Sequence, residues 1–307
     1  MKKVFCAVFA AYFGLFFFVG SALGLKGPPA MFPKQGIVEE ERYDKFSVNL
    51  PLKLNPKIQI EFWKSKSKEK RPTVIVLSIL RGKWKDKIAT MIAERIVDDM
   101  NYNVLLMSGE RAFLDKDVSD KEELKQIMKL AAEATKERIE TLELVMKTLE
   151  KEGLVQADNF GIVGISMGAI EGTVLCAKNS KIKSAVLIFG GQDIARILTE
   201  AQEPFLRKLR NKIIENCKIS KEEFYEIAKK SFAEVEPAIF AKKWRKDEIL
   251  LFEAIWDDTI PRESAEGLYE SGGKPKRILV YGGHITSVFY YHYIMEETEK
   301  HLKLLNQ

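Results

Sequence analysis

Phe160-Gly161-Ile162-Val163-Gly164-Ile165-Ser166-Met167-Gly168-Ala169-Ile170-Glu171-Gly172-Thr173-Val174-Leu175 decides how this chain is read. The opening run, Phe160 to Gly164, is apolar throughout, which is the mark of a buried strand. Helical spacing takes over at Ala169, Ile170, Val174 and Leu175. Between them lies Gly164-Ile165-Ser166-Met167-Gly168, a turn with serine at its apex. A strand that reverses into a helix over one residue leaves no room for side chains two positions before or after the apex. Glycine at 164 and at 168 meets that demand. The strained apex lifts the Ser166 hydroxyl above the sheet edge, where a base and a substrate can reach it. The Met167 amide, at the helix N-terminus, points the same way and can donate to an oxyanion. The plainer alternative is a tight turn whose serine only caps the helix.

Working outward, strands and helices alternate. Phe46, Val48 and Leu50 alternate with polar residues, and so do Ile58, Ile60 and Phe62, as in half-buried antiparallel edge strands. The charged run Lys64 to Arg71 between strands reads as a solvated hairpin loop. Thr73 to Leu77 is a central strand. A helix over 86–100 carries Ile88, Met91, Ile92 and Ile96 on one face, and a strand follows at Asn103 to Met107. A capping box, Ser119-x-x-Glu122, opens a long helix that ends near Gly153. After the serine turn come strands Ser184 to Phe189, Ile249 to Phe252 and Arg277 to Tyr281, then a last helix over 286–305. This rhythm predicts an α/β fold with a mainly parallel sheet and helices on both faces. More than fifty residues between Gly190 and Asp247 hold helical patterns and no strand. A crossover needs one helix, so the surplus predicts a small helical cap over about 193–246 that covers the substrate, or else a surface insertion without a ligand role.

A serine nucleophile needs a base, and the base needs an orienting acid. The chain has 3 histidines. His292 and His301 fall inside the last helical pattern as surface or packing residues. His284 follows a strand and the pair Gly282-Gly283, on a loop that can reach a neighbouring serine, and is the candidate base. Trp256-Asp257-Asp258-Thr259-Ile260-Pro261 places two carboxylates on a loop after the strand Ile249 to Phe252. Asp257 is the preferred acid and Asp258 the alternative, with Asp193 a third candidate. No His/Cys spacing suits a zinc ion, so neither metal nor cofactor is expected.

The chain has 307 residues, 46% hydrophobic and 30% charged, enough for a sizeable core. It begins with Lys2 and Lys3 and an uncharged apolar stretch from Val4 to Leu23, followed by small residues. The pattern predicts a signal peptide over 1–24, or an uncleaved N-terminal membrane anchor of the same length. The rest is then exported, periplasmic or secreted, or else anchored and facing outward. Residues 25–41, rich in Pro and Gly, read as a linker, and 42–307 as the folded domain. The formal charge of +5 includes Lys2 and Lys3, and no basic stripe interleaved with aromatics marks a nucleic-acid partner. Cys176 and Cys217 could pair in an oxidising compartment, and the sequence leaves that open.

The order Ser166, Asp257, His284 is that of the α/β-hydrolase fold. The chain resembles α/β-hydrolase serine hydrolases, in particular esterases near the dienelactone hydrolases and prolyl-oligopeptidase-like catalytic domains. Gly164-Ile165-Ser166-Met167-Gly168 matches the nucleophile elbow, Asp257-x-x-Ile260-Pro261 the acid loop and Gly282-Gly283-His284 the histidine loop. The acid-loop match favours Asp257 over Asp258. The family's frequent His-Gly pair is missing after the third strand, where the chain reads Ser78-Ile79-Leu80-Arg81-Gly82. The resemblance implies a second oxyanion donor from that loop, Ile79 or Leu80, beside Met167. It implies hydrolysis of a carboxylic ester or related acyl bond of a small molecule through an acyl-enzyme. A serine peptidase of the prolyl-oligopeptidase-like type and a catalytically silent binding protein are the alternatives.

Overall fold

The computed structural model describes residues 38–39, 43–48, 50, 52–78, 83–109 and 117–307. The stretch read as a signal peptide or anchor, and the candidate donor Ile79, lie outside the described residues. So does most of the stretch read as linker, although Val38–Glu39 inside it already pairs with the sheet.

Every residue of Thr73–Leu77 is buried. A strand of that kind must be covered on both faces and sits deep within a sheet. In chain order the strands are β1 (Val38–Glu39), β2 (Tyr43–Ser47), β3 (Ile58–Ser65), β4 (Thr73–Leu77), β5 (Asn103–Gly109), β6 (Phe160–Ile165), β7 (Ile182–Ile188), β8 (Ile249–Ala254) and β9 (Lys276–Val280). Their spatial order is β1-β2-β3-β5-β4-β6-β7-β8-β9. Pairings from β5 to β9 are parallel, and β1 to β3 are added antiparallel at one edge. The charged run after β3 is therefore not a hairpin. Its flanking strands β3 and β4 do not pair, because the apolar strand β5 lies between them and pairs with both. Lys66, Lys68, Glu69 and Lys70 are exposed, as the charge run demanded.

Helices follow as α1 (Lys83–Met100), α2 (Lys121–Lys151), α3 (Met167–Lys178), α4 (Ile194–Glu200), α5 (Pro204–Cys217), α6 (Lys221–Phe232), α7 (Pro237–Ala241), α8 (Arg262–Ser271) and α9 (Tyr291–Leu302). The two-residue period of the strands feeds two cores. Ile75, Leu105, Ile162 and Leu187 pack with Leu142, Val145 and Met146 of α2 and Val174 of α3. Val74, Val104, Val163 and Val186 pack on the other face with Ile92 and Ile96 of α1 and Met295 of α9. The result is a helix–sheet–helix sandwich. Helix α2 starts one residue later than its expected capping box. Asp120 is the N-cap and accepts from the amides of Glu122 and Glu123, while Ser119 donates to the Glu123 carboxylate. A carboxylate answers the positive end of the helix better than a hydroxyl does. At the start of the helix that opens at Lys221 the Ser220 hydroxyl is the N-cap, accepting from the Glu223 amide at 3.1 Å. The last helix is interrupted: 3-10 turns over Thr286–Tyr290 and Lys303–Asn306 flank α9.

Helices α4 to α7 form an insertion between β7 and β8, where the expected cap lies. Its apolar face joins the first turns of α2 and residues Ile170 and Ile260 in a third cluster. At 31 residues α2 is longer than the sheet behind it requires. Its first half, Leu124 to Ala132, packs against the insertion and its second half against the sheet. Across these layers the core holds a buried ion pair. Arg138 of α2 donates from Nε to Glu171 of α3 at 2.7 Å, and its remaining nitrogens reach Asn55 and Thr135. Cys176 and Cys217 are both free and only half-buried, and burial raises the pKa of each thiol.

Candidate catalytic site

Ser166 sits at the apex between β6 and α3 with φ 56° and ψ −114°, a conformation that costs a non-glycine residue free energy. The crowding expected around it is measurable. A Cβ on Gly164 would stand 2.4 Å from the Gly168 carbonyl oxygen, and one on Gly168 would stand 2.3 Å from the Leu77 carbonyl oxygen. The Ser166 side chain makes no capping bond to α3, which removes the plainer alternative for this serine. Its amide is tied to β7 through the Ile188 carbonyl at 2.7 Å. Met167 is the first residue of α3, so its amide has no partner within the helix.

Two further strand ends converge on the hydroxyl. His284, on the loop after β9, has Nε2 2.9 Å from Ser166 Oγ and Nδ1 2.8 Å from Asp257 Oδ2. A carboxylate can only accept, so Nδ1 carries the proton and Nε2 accepts from the serine hydroxyl. Asp257 is fixed independently. Its Oδ1 accepts from the Thr259 and Ile260 amides at 2.8 and 2.7 Å, leaving Oδ2 for the imidazole. The histidine and aspartate side chains are only 9% and 8% exposed. At that burial their mutual attraction is weakly screened. The Phe189 ring lies 5.9 Å from the imidazole, centre to centre. The acid and histidine loops are laced together by the Trp256 amide, which donates to the Gly282 carbonyl at 3.0 Å.

The other candidates are elsewhere engaged. Asp258 is exposed and offers its main chain to the insertion: its carbonyl accepts from the Gln202 and Glu203 amides. Asp193 caps α4, accepting from the Arg196 amide, and also accepts from the Tyr225 hydroxyl. His292 is exposed, and His301 Nε2 donates to the Glu248 carbonyl. Sequence reading missed three elements of the site: the Thr259 and Ile260 amides, the Phe189 ring and the Trp256–Gly282 bond. The Asx turn at Asp257 was within reach, since aspartate two and three residues before free amides forms one readily. An apolar rim surrounds the histidine loop, with Trp256, Tyr281, Ile285 and Phe289 all exposed, Phe289 to 86%. Among the described residues no group of three or more His, Cys, Asp or Glu is placed to hold a metal ion. No helix among them is long and apolar enough to cross a membrane.

Comparison with known proteins bears on the fold. Neither a protein-family model nor a curated protein sequence matches the chain. Solved structures do. A cold-adapted esterase from an Arctic intertidal metagenomic library aligns over 89% of this chain and 99% of its own, at 13% identity and a TM-score of 0.57. The acetyl xylan esterase from Paenibacillus sp. R4 aligns over 92% and 93%, at 14% identity and a TM-score of 0.58. The Pyrococcus horikoshii acylaminoacyl peptidase aligns over 86% of this chain and 42% of its own, at 12% identity and a TM-score of 0.55. The likeness is one of fold. The chain has the α/β-hydrolase fold, and its strand-end loops bring Ser166, His284 and Asp257 into one hydrogen-bonded line.

Proposed function

We propose that this protein is a serine hydrolase that cleaves a carboxylic ester, or a related acyl bond, of a small molecule through an acyl-enzyme. One observation carries the reading: a serine hydroxyl on a strained apex is 2.9 Å from an imidazole whose far nitrogen is held by a doubly anchored carboxylate. Ser166 attacks the acyl carbonyl while His284 Nε2 takes its proton. His284 then delivers that proton to the leaving alcohol. Asp257 keeps the imidazole in the Nδ1–H tautomer and stabilises the imidazolium. The Met167 amide is one donor to the tetrahedral oxyanion, and an amide of the Ser78–Gly82 loop, Ile79 in this reading, is the second. Water then releases the acid by the same route in reverse. The apolar rim of Trp256, Tyr281, Ile285 and Phe289 suits an apolar acyl or alcohol group. Esterases and an acylaminoacyl peptidase both stand among the structural neighbours, which supports a hydrolase that acts on an acyl bond.

A fluorophosphonate probe tests the nucleophile. We expect it to label the wild type and not Ser166→Ala, with hydrolysis of p-nitrophenyl acetate falling about 10³-fold or more in that variant. An unlabelled wild type would leave a silent binding protein as the reading. Faster release from aminoacyl p-nitroanilides than from short p-nitrophenyl esters would move the assignment to a peptidase.

A further inference from the structure

Alternation along β7 fails at its end. Ala185 and Leu187 pack into the core on one face of the sheet, and Val186 and Ile188 into the core on the other. Successive side chains of a strand point to opposite faces, so Phe189 should return to the side of Leu187. It packs instead in the cluster of Val186 and Ile188. The backbone accounts for the reversal. Phe189 has φ 54°, in the left-handed region that a bulky side chain rarely enters. Its amide still donates to the Phe252 carbonyl at 2.8 Å, so the turn begins while β7 is held to β8. The chain then passes so close to α3 that a Cβ on Gly190 would stand 2.8 Å from the Ala169 Cβ.

Glycine takes such a φ without steric cost, and the chain has glycine at both following positions, 190 and 191. Phenylalanine at 189 therefore holds a strained backbone for the sake of where its side chain ends. That place is beside the His284 imidazole. The Phe189 ring is only 7% exposed, lies 5.9 Å from the imidazole centre to centre, and is tilted 56° to it. His284 is otherwise held at two atoms, Nδ1 by Asp257 and Nε2 by Ser166. Two such bonds lie near the plane of the imidazole and leave it free to tip about the line between them. A third body packed against the imidazole removes that freedom. Reacting groups need their productive geometry to within about 0.5 Å and 10–20°, so the tilt matters.

We infer that Phe189 is a positioning residue of the hydrolytic site, its ring fixing the tilt of the His284 imidazole toward the Ser166 hydroxyl. The inference rests on the reading of Ser166, His284 and Asp257 as one catalytic unit. Phe189 has no proton to move and acts through the histidine. Its left-handed backbone is the device that turns the ring out of the strand's alternation and onto the imidazole.

A double-mutant cycle tests it, with rates on p-nitrophenyl acetate expressed per site titrated by a fluorophosphonate probe. Phe189→Leu keeps apolar bulk and removes the ring. It should lower kcat per titrated site about tenfold or more and leave KM within about twofold. Phe189→Tyr, which keeps the ring, should stay within about threefold of wild type. In an Asp257→Asn background the imidazole has already lost its enforced orientation, so Phe189→Leu should there cost less than about threefold. Lost packing alone would lower the number of titratable sites and not the rate per site, and it would carry over into the Asp257→Asn background. Phe189→Gly, which suits the left-handed backbone, should show the same losses and serves should Phe189→Leu not fold. A wild-type rate per site in Phe189→Leu, an equal factor in both backgrounds, or a loss in Phe189→Tyr as large as in Phe189→Leu would each overturn the inference. The reading of the site itself fails on a different result, a wild type that the probe does not label.

Discussion

Asp257 and Asp258 are neighbours in the chain and serve different regions of the molecule. Asp257 gives its side chain to the strand-end loops, where it holds His284 and takes two amides. Asp258 gives its carbonyl to the insertion, at Gln202 and Glu203. The regions they serve differ in how they treat buried charge. On the sheet side two buried ionic groups have answering ones: Asp257 with His284, and Arg138 with Glu171. In the insertion Arg210 is nearly as buried and has a single carbonyl. The lesson is that these sheet-side charges are met by charges, whereas the insertion meets its buried arginine with a main-chain carbonyl.

Breaking the sheet-side pairing at Asp257 should give the largest effect. Asp257→Asn lowers kcat by about 10⁴-fold, since an amide no longer enforces the productive tautomer. Asp258→Asn, which keeps the carbonyl that the insertion uses, stays within about twofold of wild type. Steady-state rates on p-nitrophenyl acetate separate them, and the reverse order would transfer the role to Asp258.

The two arginines sharpen the contrast next. Arg138→Met strands the Glu171 carboxylate in a dry interior and should cost about 3–5 kcal/mol. Arg210→Met strands nothing charged, so it should lie within about 1 kcal/mol of wild type or be more stable. Urea unfolding of both variants gives the comparison, and equal losses would erase the distinction between the regions.

The smallest effect concerns His301, buried against the sheet with Nε2 donating to Glu248. Burial, its largest influence, holds its pKa below the ordinary value of 6.5. The folded protein thus binds a proton less readily than the unfolded chain, and stability rises with pH. The contribution is complete above 6.5 and is lost as pH falls through the depressed folded value. Melting temperatures should drop more between pH 7.5 and pH 5 for the wild type than for His301→Gln. An identical drop would show that another group dominates that window.

Much of this was legible in the sequence because the constraints were local. Gly164 reports a steric demand made by backbone four residues on, at Gly168, although the demand at Gly168 comes from the Leu77 carbonyl of the neighbouring strand β4. The continuous apolar runs of β4 and β6 report two-sided burial. What failed was pairing at a distance. The charge run after β3 looked like a hairpin because sequence adjacency does not reveal that β5 intervenes. Asp120 displaced Ser119 as a cap by one position, a difference no periodicity resolves. Arg210 was present in the pattern, four residues after Leu206 and three before Ile213, on the apolar stripe of α5. Its lack of a partner is a tertiary fact. Asp257 and His284 could be picked out as neighbours of Ser166 because each follows a strand, and parallel strands deliver their ends to one rim.

The bond from the Trp256 amide to the Gly282 carbonyl joins two loops that the chain separates by a helix and a strand. Carboxylate and imidazole consequently travel as a single mechanical part, docked against a serine that is anchored separately to β7. Warming that undocks this part would silence turnover while the sheet stays folded. Inactivation would then precede melting, and cooling would restore the rate.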